Sequence, residues 1–394
     1  MPYKAASRPR RGHITAGSDA PEGGRMDVRA SVMARPALKP ALRRVWRDAA
    51  TLQIGLDPTH ALIVGDIDDG VARWLEQLDG SREFADALKV AADCGVESPK
   101  ARALLDLLAR CGAIEDAAAD RAVLRELSTV ERERLAPDLA ALSVRDDAVD
   151  GGAAALERRR ARAVTVYGAG RIGASIAVLL AAAGIGYVRV KDQGLTRPAD
   201  LAPAGIAFDQ LDRRRDTAAA RAARRAAPSV TAALPPGQSD PDLAIVSPAG
   251  AFDRAACDRL AESAVPHLYA GVRELVGVVG PLVLPGRSSC LGCHDLHRSD
   301  RDPSWPRVAA QLAAIERGRQ AVRAPAPCDI ILATVVAAHA ALHALVYLDG
   351  GRPPIIDGTI EIAMPEGRSR RRSWSAHPAC SCGADGMIAS AGSG

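Results

Sequence analysis

The stretch from Ala163 to Asp192 limits this chain more than any other. Ala163-Val164-Thr165-Val166-Tyr167 is an apolar run of buried-strand length, and Gly168-Ala169-Gly170-Arg171-Ile172-Gly173 follows without a gap. Ser175–Ala183 then reads as an Ala/Leu helix stopped at Gly184-Ile185-Gly186. Tyr187-Val188-Arg189-Val190-Lys191 is a second strand, with Asp192 at its end. A strand, a G-x-G-x-x-G turn, a helix and a second strand tipped by an acid about 20 residues on are the parts of a dinucleotide-type βαβ unit. Each part has a mechanical role. Gly168 permits the tight turn, Gly170 lets backbone amides approach a phosphate, and Gly173 lets the helix pack close on its strand. The helix start offers unpaired N–H groups and partial positive charge to an anion, and Asp192 can accept from ribose hydroxyls. The expected fold class is therefore α/β and Rossmann-like. Later apolar runs at Asp242–Val246 and Val265–Tyr269, with Val276–Leu284 read as an antiparallel pair, make the sheet mixed.

A second constellation lies downstream. Cys290-Leu291-Gly292-Cys293 is a C-x-x-C knuckle, and Cys380-Ser381-Cys382 follows, preceded by His377-Pro378. Four thiolates in two close pairs suit a tetrahedral Zn²⁺ with no open position, a structural metal. His294, His297 and His377 are alternative ligands for one thiolate, and a redox pair is the competing reading. Eight Cys in 394 residues are too few for a disulfide scaffold, which places the chain in a reducing cytoplasm. Cys328, ahead of a long helix, is a candidate nucleophile if the helix start lowers its pKa. Cys94, Cys111 and Cys257 read as small core residues.

The remaining chain divides by texture. Residues 1–34 are rich in Gly, Pro, Arg and Ser and read as a disordered tail, with Met26 and Met33 as alternative starts. Residues 35–116 carry two short strand-like runs, Leu52–Gly55 and Ala61–Val64. Three helical stretches follow at Ile67–Leu78, Glu83–Ala92 and Pro99–Arg110, giving a winged-helix outline. Residues 117–162 form a linker with some helix, 163–383 the Rossmann-like domain, and 384–394 a flexible tail.

Charge excludes some partners. The chain has 51 basic and 47 acidic residues, net +4, and only 3% aromatics. Five of the basic residues are Lys, so the Arg runs at 158–160 and 370–372 reflect composition and read as solvated surface, not as a nucleic-acid footprint. Ile330–Leu348 is the longest apolar stretch; His339 and His343 mark it as a buried helix, and no membrane span is expected.

These features together resemble the ThiF/MoeB superfamily, relatives of ubiquitin-activating enzymes, over about 163–383. One branch is closer still. Pro266-His267-Leu268, Gly277–Gly286, Cys290–Cys293, Asp302-Pro303-Ser304-Trp305-Pro306 with Gln311-Leu312, and His377–Cys382 are similar to actinobacterial cyclodehydratase-type proteins of azole/azoline peptide biosynthesis. The resemblance implies a winged-helix domain that takes a precursor leader peptide as an added strand. It also implies a YcaO-type partner that performs the ATP-dependent chemistry, a Cys₄ zinc knuckle and a homodimer. Adenylating members of the superfamily carry G-x-G-G-x-G, where this chain has Arg171 at the fourth position. They also place a phosphate-clamping Arg in the segment that here reads Thr196–Leu201, with Arg197, and a Mg²⁺-binding Asp where Pro248-Ala249-Gly250 stands. The resemblance thus implies a leader-peptide-binding scaffold. The alternatives are an active adenylyltransferase, with ATP and Mg²⁺ on Gly168, Gly170, Arg171, Gly173 and Asp192, a nicotinamide-dependent oxidoreductase, and a DNA-binding regulator.

Overall fold

A computed structural model describes residues 13–15, 33–248, 254–322 and 327–383. The chain divides into two compact units, 1–157 and 158–394.

In the first unit the strands are β1 (His13–Thr15), β2 (Pro36–Leu38), β3 (Arg44–Asp48), β4 (Thr51–Ile54) and β5 (Leu62–Gly65). The helices α1 (Asp69–Glu76), α2 (Phe84–Asp93) and α3 (Ser98–Arg110) follow, then β6 (Ile114–Asp116), α4 (Ala122–Arg125) and α5 (Thr129–Arg145). The alternation Leu52, Ile54, Leu62, Val64 puts one face of the β3–β4–β5 meander on the helices, where Val71, Trp74, Leu104, Leu105 and Leu108 are buried. Helix α1 starts at Asp68, whose side chain accepts the Val71 N–H at 2.8 Å, and the buried Trp74 indole donates to the Ala87 carbonyl at 2.9 Å. All five β3 side chains are exposed, so this strand carries no apolar alternation and escapes a sequence reading. Residues 1–34, read as a disordered tail, contain a described strand: β1 lies parallel to β5, with His13, Ile14 and Thr15 opposite Ile63, Val64 and Gly65. A local composition rule does not register pairing with an edge strand distant in sequence. Residues 384–394 lie outside the described residues. The stretch 117–162 is largely helical, and Val123, Leu127, Leu135, Ala153 and Leu156 give it a small core of its own.

Helix α6 (Ala153–Arg160) leads into the second unit. Its elements are β7 (Ala163–Tyr167), α7 (Arg171–Ala182), β8 (Tyr187–Lys191), α8 (Arg215–Ala226), β9 (Leu243–Val246), α9 (Arg254–Glu262), β10 (His267–Arg273) and β11 (Val276–Val283). Then come α10 (Leu291–Arg301), α11 (Trp305–Val322), α12 (Ile330–Leu348), β12 (Gly358–Ala363) and β13 (Arg368–Ser373). One seven-stranded sheet runs β13-β12-β11-β10-β9-β7-β8. Strands β8, β7, β9 and β10 are parallel and the remainder antiparallel, the mixed sheet expected. Strand β9 is buried on both faces. Leu243 and Ile245 join the core under α7, α8 and α12, whereas Ala244 and Val246 face Cys257 and Leu260 of α9.

Three expectations change here. Val276–Leu284 holds one strand, β11, and not a pair: it bulges at Gly280-Pro281 opposite Tyr269, where the proline's missing N–H costs no ladder bond. Helix α12 is apolar enough to span a membrane by length and composition, yet it packs Leu332, Val336, Ala340 and Ala344 into the core. Its other side leaves Ile331 63% and Leu342 55% exposed. The Arg158–Arg160 run is not wholly solvated. Arg159 is buried, with Nη2 2.7 Å from Asp349 Oδ2 and Nε 2.9 Å from Oδ1 at the end of α12.

Candidate functional site

The glycine turn lies where β7 gives way to α7, at the carboxyl ends of the parallel strands. Gly168 has φ +98°, and a Cβ there would stand 2.1 Å from the Ser247 carbonyl oxygen. A Cβ on Gly173 would meet the Gly168 carbonyl oxygen at 2.0 Å. Any larger residue at either position would push the turn off its neighbouring strand or helix. Gly170 caps α7, and Arg171 is the first helical residue.

The charges around the turn are already spent on the protein itself. Asp192 accepts the Ala169 N–H on Oδ2 at 2.8 Å and the Gly194 N–H on Oδ1 at 2.8 Å. Arg215, at the start of α8, adds a two-pronged contact, Nε to Oδ2 at 3.0 Å and Nη2 to Oδ1 at 2.9 Å. Both carboxylate oxygens are thus doubly engaged, and the side chain is 7% exposed. Burial weakens the Arg215 charge, but the hydrogen bonds and charge of Asp192, with Asp200 nearby, hold its pKa above the ordinary guanidinium value. Arg171 is engaged as well, donating from Nε to the Ala199 carbonyl at 2.7 Å and from Nη1 to the Cys328 carbonyl at 2.9 Å. Arg197 is exposed, and its own N–H donates to Asp200. At the end of β9 the Ser247 hydroxyl and, beyond β8, the Thr196 hydroxyl are buried without a hydrogen-bond partner. Residues 249 and 250, part of the segment that replaces the Mg²⁺-binding acid, lie outside the described residues.

The four cysteines gather at the opposite end of the sheet. Cys290 caps α10, Cys293 sits fully buried in its first turn, and Cys380 and Cys382 come from the chain beyond β13. The Sγ separations are 3.9 Å for Cys290–Cys293, 3.6 Å for Cys290–Cys380 and 3.5 Å for Cys293–Cys382, and all four sulfurs lie within 4.8 Å of one another. A regular tetrahedron of thiolates at about 2.3 Å from a Zn²⁺ has edges of about 3.8 Å, so the set could hold such an ion. Gly292 leaves room for it: a Cβ there would press on the Cys380 and Cys290 sulfurs at 3.2 and 3.3 Å. Burial pushes the Cys290 thiol up. At Cys293 burial is outweighed by the backbone N–H groups of Cys290 and His377 and by the neighbouring thiols, which pull it down.

The histidines do not join this set. His377 Nε2 is 2.9 Å from Asp300 Oδ2, and Nδ1 accepts the Ala379 N–H at 3.1 Å. The ring therefore shapes the turn that presents Cys380. With Nδ1 accepting, Nε2 must carry the proton, which suits a bond to Asp300 and not a metal. His294 stacks on Trp374 with centroids 4.5 Å apart, and burial, reinforced by Arg298, lowers its pKa to about 3. His297 reaches the Ser375 carbonyl at 3.1 Å. Sequence reasoning missed Trp374, Asp300 and Arg298, which anchor the second cysteine pair. The signal available was the His377-Pro378 step, a turn former just ahead of Cys380. Cys328 also departs from expectation. Burial pushes its thiol up, and Asp329, which caps α12, adds to the rise against the pull of Arg171.

A mixed Rossmann-like sheet, a glycine turn at one end and a four-thiol knuckle at the other define a ThiF-type α/β domain, here preceded by a strand-and-three-helix unit. Residues 146–246 match the ThiF family. The fold is similar to that of the microcin C7 biosynthetic enzyme MccB of E. coli. Its complex with ATP superposes with a TM-score of 0.62 at 15% identity, covering 89% of this chain and 99% of that one. Its complex with N-formylated MccA gives 0.61 at 15% identity over 88% and 99%. PaaA gives 0.64 at 18% identity over 86% and 100%. Among curated proteins, none matches this sequence.

Proposed function

We propose that this chain is a peptide-binding scaffold, a leader-peptide-binding component of ribosomal azole/azoline peptide biosynthesis that acts with a YcaO-type partner. The observation that carries the reading is the sealed Asp192. A nucleotide that needed this acid for its ribose would have to break the Arg215 fork and two backbone hydrogen bonds. Arg171 is likewise occupied, and Pro248-Ala249-Gly250 stands where adenylating members place the acid that anchors Mg²⁺ beside a leaving pyrophosphate. Peptide handling draws support from the first unit, a small sheet able to accept an added strand, and from MccB, whose solved complexes include MccA.

In this reading Cys290, Cys293, Cys380 and Cys382 hold a structural Zn²⁺ that ties the C-terminal chain to α10, a role suited to a reducing cytoplasm. In this reading the scaffold is a homodimer, for which light scattering should give twice the 41.1 kDa of one chain. One observation favours the alternative, an adenylyltransferase: the backbone of the Gly168–Gly173 turn is intact, and MccB has been solved with ATP. Titration of the full chain with fluorescent synthetic leader peptides from azole-forming precursors tests the proposal. Saturable micromolar binding that is indifferent to Mg·ATP is expected. Absence of binding across the panel, or binding that requires Mg·ATP, overturns it.

A further inference from the structure

The β3–β4–β5 meander has two lateral edges, and they differ. At β3 every side chain is exposed. At β5, Leu62 and Val64 are 1% and 0% exposed and belong to the core shared with α1–α3, so a strand added there extends a sheet that is already apolar on one face. The chain itself adds one. Residues 13–15 pair in parallel along β5, and Ile14 holds the register position opposite Val64, the most buried residue of the strand. We propose that His13–Thr15 is a built-in occupant of the outer edge of β5, which an incoming extended peptide must displace.

Three features support displacement. Among the described residues the occupant pairs over three positions, so a peptide pairing along the whole of β5 makes more backbone bonds. It lies parallel, the arrangement with the weaker pairing per residue, which leaves an antiparallel competitor the advantage. Being tethered, it competes at a fixed effective concentration, and so sets a threshold affinity below which a peptide does not enter. The surface and its occupant stand on the strand pairing. The incoming peptide rests on the function proposed above.

The test uses the full chain with Ile14→Pro, which removes the N–H of the central strand residue. Amide hydrogen exchange over Leu62–Gly65 should quicken by about tenfold or more while the melting temperature stays near that of wild type. A fluorescent peptide of residues 9–19 should bind the variant at least about tenfold more tightly than wild type, where the tethered copy competes. The same peptide carrying Ile14→Pro should bind neither chain. Unchanged exchange, or equal binding of the labelled peptide to both chains, overturns the proposal. If the self-peptide behaves as expected but no precursor leader binds, the built-in strand stands and the peptide-handling function falls.

Discussion

Arg215 grips Asp192 through two parallel hydrogen bonds of 2.9 and 3.0 Å, joining the start of α8 to the acid that ends β8. The same guanidinium reaches Asp200 at 3.4 Å, so one cation serves two buried carboxylates beside the glycine turn. Arg215→Ala would leave both acids without their counter-charge. The expected loss is roughly 2–4 kcal/mol, toward the low end for a buried pair because the Arg215 side chain stays 18% exposed. Arg215→Lys should recover only part of it, since an ammonium cannot reproduce the planar fork. Urea unfolding of the two variants measures both, and a loss under about 0.5 kcal/mol in Arg215→Ala would show that the pair does not hold the turn.

The four-thiol knuckle predicts about one zinc per chain by mass spectrometry of the metal. Cys293→Ser, at the most buried ligand, should abolish stoichiometric zinc and lower the melting temperature by several degrees. Cys94→Ser, in the first unit, should keep both. Full zinc in Cys293→Ser would remove the cysteines from the metal site.

His343 predicts an acid sensitivity. It is buried in α12 with no hydrogen-bond partner on either ring nitrogen. Burial, with a smaller push from His339, lowers its pKa from the ordinary 6.5 to about 4. Between those values the unfolded chain binds the proton and the folded chain does not, so stability falls as pH drops from about 6.5 to about 4 and levels off below. The full effect is on the order of 3 kcal/mol. His343→Leu should flatten that part of the stability–pH curve, and an unchanged slope would show that His343 titrates normally in the fold.

Much of this architecture is legible in the sequence because it is local. The strand, turn, helix and strand of 163–192 lie within one short stretch, and Gly173 answers a contact with Gly168 inside it, although Gly168 itself answers Ser247 beyond β9. The cysteine pairs announce themselves by spacing alone. What the sequence conceals is pairing across distance. Arg215 lies 23 residues beyond Asp192 on a helix that reads as ordinary Ala/Arg surface. Arg159 hides in a run of arginines and meets Asp349, 190 residues away. Likewise β3 has no apolar alternation because both its faces are exposed, and the pairing of 13–15 depends on an edge strand some fifty residues downstream. Composition can mark such segments as polar, but their partners are set only by the folded sheet.

The most direct measurement is the thermal stability of the zinc-loaded full chain with and without Mg·ATP. A ligand held at 100 times its Kd adds about 2.7 kcal/mol to the native state, which raises the melting temperature of a domain this size by several degrees. With Asp192 sealed by Arg215 and Arg171 held by the Ala199 and Cys328 carbonyls, no shift is predicted for wild type at millimolar Mg·ATP. A reproducible rise of several degrees would contradict that result and establish the glycine turn as a working nucleotide site.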